Sequence, residues 1–132
     1  MMVCFDTDFL VALLRKEEVA IDKLETYEEK EDLLSTTVIS ACELFEGAYK
    51  GDGAEKKIAR VKELLHRLDI LELNLRSSKL FGKVYNELRL QGMDIGVLDT
   101  LISSIVIAKG EKLITRNIKH FNRVTGLLVE SW

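Results

Sequence analysis

The stretch Met2-Val3-Cys4-Phe5-Asp6-Thr7-Asp8-Phe9-Leu10 decides the fold class of this 132-residue chain. Residues 2–5 form a short apolar run, which predicts a buried strand, and Asp6 stands where that strand ends. The apolar residues at 9–14 predict a short helix directly afterwards. A buried strand that passes through an acidic residue into a helix is typical of a parallel α/β sheet.

Predicted strands and helices alternate along the rest of the chain. We expect helices at 17–30, 38–49, 54–68, 76–90 and 97–108, and strands at 33–37, 70–73, 112–115 and 127–130. This order predicts an α/β fold: one domain over residues 1–132, with a mainly parallel central sheet and helices on both faces. In such folds, ligands bind at the carboxyl ends of the strands.

The composition favours a cytoplasmic globular protein and excludes several other classes. The chain is 47% hydrophobic and 31% charged, and no apolar stretch reaches the roughly 20 residues that a membrane span requires. Asp6 and Asp8 interrupt the apolar N-terminal region, which argues against a signal peptide. Cys4 and Cys42 belong to no zinc or redox motif, and we expect both to be small buried side chains.

The net charge of −3 does not favour nucleic-acid binding, because phosphate contacts require local positive charge. Basic residues nevertheless cluster in two places. The first cluster, at Lys56, Lys57, Arg60 and Lys62, is interpreted as the solvated face of a helix. The second consists of Arg116, Lys119 and Arg123. It surrounds a polar residue just beyond a predicted strand, which makes it the better candidate for a functional surface.

Four acidic or amide residues mark a candidate site, namely Asp6, Glu43, Asp99 and Asn117. Asp6 and Asn117 follow predicted strands, whereas Glu43 and Asp99 are expected in the first turns of helices. All four positions can therefore meet at the carboxyl edge of the sheet. Carboxylates and amides without histidine are the donors that Mg²⁺ and Mn²⁺ prefer, so the pattern favours these ions over zinc.

Each residue also has a purely structural interpretation. Ser40 and Glu43 have the spacing of a capping box, and Asp8 is placed to cap the helix that follows it. Asp99 suits the first turn of a helix because of the helix dipole, and Asn117 suits a turn. Only the functional interpretation requires that the four residues converge.

Four ordered stretches of the chain resemble the PIN-domain ribonucleases of the VapC toxin type. They run over essentially the full length, and each is weak alone. The matching residues are Asp6-Thr7-Asp8-Phe9-Leu10; Ser40, Glu43-Leu44 and Gly47; Gly92, Ile95-Gly96, Asp99 and Leu101-Ile102; and Leu113 to Asn117 with Phe121, Gly126 and Leu127.

The resemblance implies an endoribonuclease that depends on Mg²⁺ or Mn²⁺. Asp6, Glu43 and Asp99 match the metal-binding acids of the family, and Asn117 matches a fourth position that is Asp in many members. Asn carries no charge, which puts firm binding of a second metal in doubt. In-line hydrolysis of the RNA phosphodiester would leave 5′-phosphate and 3′-hydroxyl ends.

Further residues receive secondary roles from the same resemblance. Asp8 and Thr115 are expected to orient the metal ligands. Asp94 is either an additional acid of the site or a turn residue before a helix. We expect RNA-backbone contacts from Arg116, Lys119 and Arg123. Many relatives carry Asp at the position of His120, to which we assign no role.

The resemblance also implies a toxin role, a cognate antitoxin protein and a homodimer. Two alternatives remain open: a PIN nuclease of RNA processing without an antitoxin, and a catalytically silent domain that binds protein or nucleic acid. A phospho-acceptor signalling domain is disfavoured. Such a domain needs a lysine just past a late strand, where Thr115-Arg116-Asn117 stands instead.

Overall fold

A computed structural model describes all residues from Met1 to Trp132. The chain forms five strands and seven α-helices. The strands are β1 (Met2–Phe5), β2 (Leu33–Thr37), β3 (Asp69–Leu71), β4 (Lys112–Ile114) and β5 (Leu128–Glu130). The helices are α1 (Thr7–Leu14), α2 (Glu18–Glu29), α3 (Val38–Tyr49), α4 (Ala54–His66), α5 (Leu75–Leu90), α6 (Val97–Lys109) and α7 (Ile118–Phe121).

The strands form one sheet in the order β3-β2-β1-β4-β5, and all four neighbouring pairs are parallel. The sequence predicted a mainly parallel sheet, which is confirmed. In the central strand, Cys4 lies opposite Ser35 of β2 and Leu113 of β4. Because β1 and β4 are neighbours, the residues that follow them meet at the same edge of the sheet.

Two hydrophobic cores cover the two faces of the sheet. Successive side chains of a strand point to opposite faces. Accordingly, Val3 and Phe5 pack with residues of α1, α2, α3 and α4, while Cys4 packs with residues of α5, α6 and α7. Helices therefore lie on both faces, as predicted. No helix combines the length and apolar character that crossing a membrane requires.

Local signals explain where several helices begin and end. At the start of α3, Thr37 accepts a hydrogen bond from the amide of Ser40, and at the start of α5, Asn74 and Ser77 form a capping box. Gly110 ends α6 with a φ of 68°, in the left-handed region that favours glycine.

Some expected boundaries and environments were wrong. β3 covers residues 69–71 rather than 70–73, and β4 ends at Ile114, so that Thr115 lies in the loop beyond it. The short helix α7 was not predicted. Cys42, expected to be buried, is exposed, whereas Cys4 is buried.

Candidate active site

Asp6 is the central residue of the candidate site. It follows β1 directly, is only 6% exposed and caps α1. Its Oδ1 accepts a hydrogen bond from the Thr7 amide at 2.8 Å, and its Oδ2 accepts one from the Thr115 hydroxyl at 2.7 Å. These two hydrogen bonds fix the orientation of the carboxyl group. Because Asp6 supplies the cap, the interpretation of Asp8 as the cap of this helix was wrong.

The pKa of Asp6 is raised from 3.8 to about 7. Burial is the largest cause, since it removes water from the charged form. Hydrogen bonds from Thr115 and Thr7 lower the pKa, whereas the negative charges of Asp8 and Asp99 raise it. Asp99 is therefore close enough to Asp6 for their charges to interact, although they are far apart in sequence.

Asp99 lies in the first turn of α6, as predicted. The helix precedes β4 in a parallel sheet, so its N-terminal end lies at the edge where β1 and β4 finish. Asp99 Oδ2 is 3.3 Å from Nδ1 of His120, which lies in α7. His120, for which no role was predicted, thus lies at the candidate site.

Glu43 reaches the site from α3. It lies in the second turn, because α3 begins at Val38, so its expected place in the first turn was wrong. The capping box of Ser40 and Glu43 was also wrong, since Thr37 provides the cap. Glu43 Oε1 instead accepts a hydrogen bond from the Thr7 hydroxyl at 2.6 Å.

Thr7 joins Asp6 to Glu43 and was not predicted as a site residue. Its amide donates to Asp6, and its hydroxyl donates to Glu43. The Thr7 Oγ1 also lies 2.9 Å from the Oγ of the fully buried Ser40, which can donate to it. The only available signal was its position directly after Asp6 in Asp6-Thr7-Asp8.

Asp8 anchors the loop that follows β4. Its Oδ2 accepts from the amide of Arg116 at 2.9 Å and lies 3.2 Å from the Thr115 hydroxyl. Its Oδ1 accepts from the indole N–H of Trp132 at 3.1 Å. Asp8 and Thr115 therefore contact each other, and Thr115 contacts Asp6 directly.

Asn117 and Asp94 lie at the margins of this group. The backbone amide of Asn117 donates a hydrogen bond to Thr115 Oγ1 at 3.0 Å. Asn117 directly precedes α7, and its side chain makes no capping hydrogen bond to that helix. Asp94 is exposed, and its Oδ1 accepts from the Gly96 amide at 2.8 Å. This hydrogen bond shows the expected turn before α6, and the role of Asp94 as an additional acid of the site stays a prediction.

The chemistry of this group suits a hard divalent cation, but its side chains do not already converge on one. No three Asp, Glu, His or Cys side chains are arranged to hold a metal ion. No Lys or Arg side chain forms an ion pair with Asp6, Asp8, Glu43 or Asp99. Apart from His120 beside Asp99, these carboxylates have no potentially cationic partner. Such a group, in which Asp6 has a raised pKa, fits an oxygen-seeking ion such as Mg²⁺ or Mn²⁺.

A groove of about 420 Å³ lies beside Glu43, between α1, α3 and α4. Its lining is half apolar and carries three cationic side chains. The lining residues are Val11, Leu14, Arg15, Glu43, Leu44, Gly47, Ala48, Lys57, Arg60 and Val61. Lys57 and Arg60, which were expected on a solvated helix face, thus border the groove.

The three residues predicted to contact RNA have different surroundings. Arg116 lies with its guanidinium 3.6 Å from the ring centroid of Trp132 and is 3.9 Å from Glu17. Arg123 donates to the backbone oxygen of Asp94 at 3.3 Å. Lys119 is exposed. Arg116 and Arg123 are therefore partly engaged within the protein.

Comparisons with known proteins agree with this architecture. Residues 3–127 match the PIN domain family. The chain is 29% identical over 127 residues to the ribonuclease VapC2 of Haemophilus influenzae, covering 96% of this chain and 95% of that protein.

Two solved structures are similar over the full length. VapBC2 from Rickettsia felis, bound to a DNA fragment from its promoter, matches with a TM-score of 0.92 and 29% identity, covering 100% of this chain and 99% of that one. VapBC-1 from nontypeable Haemophilus influenzae matches with a TM-score of 0.89 and 29% identity, covering 100% and 98%. With its parallel sheet and the match over residues 3–127, the chain belongs to the PIN-domain family.

Proposed function

We propose that the protein is an endoribonuclease that acts as the toxin of a toxin–antitoxin pair in the cytoplasm. The single observation that carries the proposal is the group of carboxylates around Asp6, which has no Lys or Arg ion-pair partner. Repulsion between neighbouring carboxylates destabilises the fold, and a purely structural role does not compensate for it. A bound cation offsets the repulsion. Relatives named as ribonucleases support the same activity.

Asp6, Glu43 and Asp99 would hold a Mg²⁺ or Mn²⁺ ion, with Asn117 as an uncharged fourth oxygen donor. When bound, such an ion lowers the pKa of water and offsets negative charge on the phosphate. Thr7 and Thr115 keep Asp6 in a fixed orientation, and Thr7 also restrains Glu43. Asp8 holds the loop that presents Asn117.

RNA would be bound by the positive charges near this edge, where Arg116 and Lys119 are exposed and Arg123 is partly exposed. Arg116 and Arg123 would contribute from their present positions beside Trp132 and Asp94. Since contacts between cationic side chains and phosphates weaken as counterions compete, we expect RNA affinity to fall as the salt concentration rises.

The proposed antitoxin would occupy the groove beside Glu43. The apolar floor formed by Val11, Leu44 and Val61 suits apolar side chains of a bound segment. A basic residue of that segment could pair with Glu43 and supply the positive charge that the site otherwise takes from the metal. Acidic residues of the segment could pair with Arg15, Lys57 and Arg60.

A homodimer is the assembly that we expect from the family resemblance. Several large apolar side chains are exposed around the connection between α5 and α6, including Leu90 at 88% exposure, Met93, Val97 and Leu98. Exposed apolar side chains that lie close together in sequence are candidates for a protein interface.

The chemistry of the cut ends tests the proposed activity. Purified protein would be incubated with a labelled RNA and Mn²⁺, and the products would be treated with a 5′-phosphate-dependent exonuclease. We expect the downstream fragments to be degraded, because hydrolysis leaves 5′-phosphate and 3′-hydroxyl ends. Products with 2′,3′-cyclic phosphate ends would indicate attack by the ribose hydroxyl and would contradict the proposal. RNA binding without any cleavage would instead support a silent binding domain.

A further inference from the structure

Trp132 lies against the candidate site although it is 124 residues from Asp8 in sequence. Its indole Nε1 donates to Asp8 Oδ1 at 3.1 Å. Its ring packs edge-on against the ring of Phe9 with centroids 5.1 Å apart, and the Arg116 guanidinium lies 3.6 Å from its centroid. Trp132 therefore contacts both the start of α1 and Arg116, the residue that follows Thr115.

Asp8 links Trp132 to the residues that orient Asp6. Both of its oxygens are engaged, Oδ1 by the indole and Oδ2 by the Arg116 amide at 2.9 Å. The Thr115 hydroxyl lies 3.2 Å from Asp8 and donates to Asp6 at 2.7 Å. A change in the position of Asp8 would therefore move the hydroxyl that fixes Asp6.

Arg116 makes a second set of contacts with Trp132. Its guanidinium lies over the indole face, and its Nε donates to the backbone oxygen of Trp132 at 3.4 Å. A cation over a tryptophan ring is attracted to it electrostatically. The residue next to Thr115 is thus held through both its backbone amide and its side chain.

We propose that Trp132 is a positioning residue for the ribonuclease reaction. It holds Asp8 and Arg116 so that the Thr115 hydroxyl keeps Asp6 in its reactive orientation. Trp132 itself touches no reacting atom. This inference rests on the proposed function, and it predicts that loss of the indole N–H lowers kcat while KM changes little, because orientation rather than RNA binding is disturbed.

The chain contains one tryptophan, so the indole N–H gives a single signal in a ¹H–¹⁵N spectrum. In metal-free buffer, we expect that Asp8→Ala shifts this signal upfield and speeds its exchange with solvent, because the acceptor is lost. We also expect faster exchange of the Arg116 amide in Trp132→Phe. An unchanged indole signal in Asp8→Ala would show that the proposed contact is absent.

Kinetics of RNA cleavage then test the role of the contact. Trp132→Phe keeps the aromatic ring against Phe9 but removes the N–H donor, and the exposed Ser131→Ala serves as the control. We expect Trp132→Phe to lower kcat about tenfold, with KM and melting temperature nearly unchanged. Trp132→Ala also loses the ring contacts and should lower the melting temperature as well.

The possible results separate the two claims. If the wild type cleaves RNA and Trp132→Phe cleaves with the same kcat, the positioning role is wrong while the ribonuclease function stands. A fall in kcat that only follows a lower folded fraction also contradicts the positioning role. If the wild type does not cleave RNA, the proposed function fails and the inference fails with it.

Discussion

At the scale of single residues, Asp6 has the least favourable electrostatic environment of the candidate site. Burial raises its pKa to about 7, and the charges of Asp8 and Asp99 act in the same direction. No cationic side chain forms an ion pair with it. Relative to the unfolded chain, the folded state therefore favours the protonated acid, whereas a cation at the site would favour the ionised carboxylate.

Replacing Asp6 with Asn should stabilise the metal-free protein in a pH-dependent way. The pKa in the fold is above the unfolded value of 3.8, so ionisation opposes folding, and the wild type loses stability as pH rises from about 4 to 7. The penalty is complete above pH 7 and absent below pH 4, and it amounts to at most about 4 kcal/mol.

Urea unfolding in chelator at several pH values measures this effect. The stability difference between Asp6→Asn and wild type should grow from pH 4 to pH 8, and the exposed Asp52→Asn should show no such trend. A difference that does not vary with pH would contradict the raised pKa of Asp6.

The residues that sequence reasoning found and missed differ in how they reach the site. Asp6 and Asp99 could be placed because each stands at an element boundary whose side of the sheet follows from the fold class. Thr7 and Trp132 act through hydrogen bonds to Glu43 and Asp8, across 36 and 124 residues. No local pattern reveals such contacts, because they depend on how the elements pack.

At the scale of elements, the entry to α6 sets the position of Asp99. Gly96 precedes the helix with a φ of 90°, a backbone conformation that residues with a Cβ rarely adopt. The Asp94 side chain accepts a hydrogen bond from the backbone amide of Gly96. The backbone carbonyl oxygen of Gly96 accepts one from the Thr100 hydroxyl at 2.6 Å. The backbone of Gly96 therefore directs the first turn of α6 toward the sheet edge.

Substitution of Gly96 with Ala should destabilise the protein and reduce RNA cleavage. No atom lies within 4 Å of a Cβ added at this position, so the cost is backbone strain of about 1–3 kcal/mol. Gly82→Ala provides the matched control. It also adds a Cβ into open space, but within α5, where Ala is favoured by up to about 1 kcal/mol.

Thermal unfolding and cleavage rates of the two variants check this prediction. Gly96→Ala should lower both quantities, whereas Gly82→Ala should raise the melting temperature slightly and leave cleavage unchanged. Equal stability of Gly96→Ala and wild type would show that α6 does not depend on the glycine conformation.

Most elements could be located from the sequence because their apolar periodicity is long or their strands are buried. The helix α7 could not, since its four residues are too few for a periodic pattern. It follows a loop that Asp8 holds from α1. The start of α3 at Val38 was predicted correctly, but its cap was misassigned: Thr37 and Ser40 both suit a cap, and Thr37 forms it because β2 ends at that residue.

At the scale of the whole molecule, the strand order brings the candidate site together. β1 lies between β2 and β4, so that Asp6 stands between α3, which follows β2 directly, and the loop beyond β4. The parallel arrangement brings Asp99 to the same edge. The fold class predicted this edge from the sequence, whereas the groove beside Glu43 depends on the packing of α1, α3 and α4.

Cleavage of total RNA by the wild type and by Asp99→Asn is the most direct test of the central claim that these carboxylates hold a catalytic metal ion. The variant keeps the size of the side chain but removes one charge, so it should remain folded and should be at least as stable as wild type in chelator. We expect the wild type to cleave RNA with Mn²⁺ or Mg²⁺ and to stop when chelator is added, while Asp99→Asn is inactive throughout. Cleavage that resists chelator, or normal cleavage by Asp99→Asn, would contradict the account.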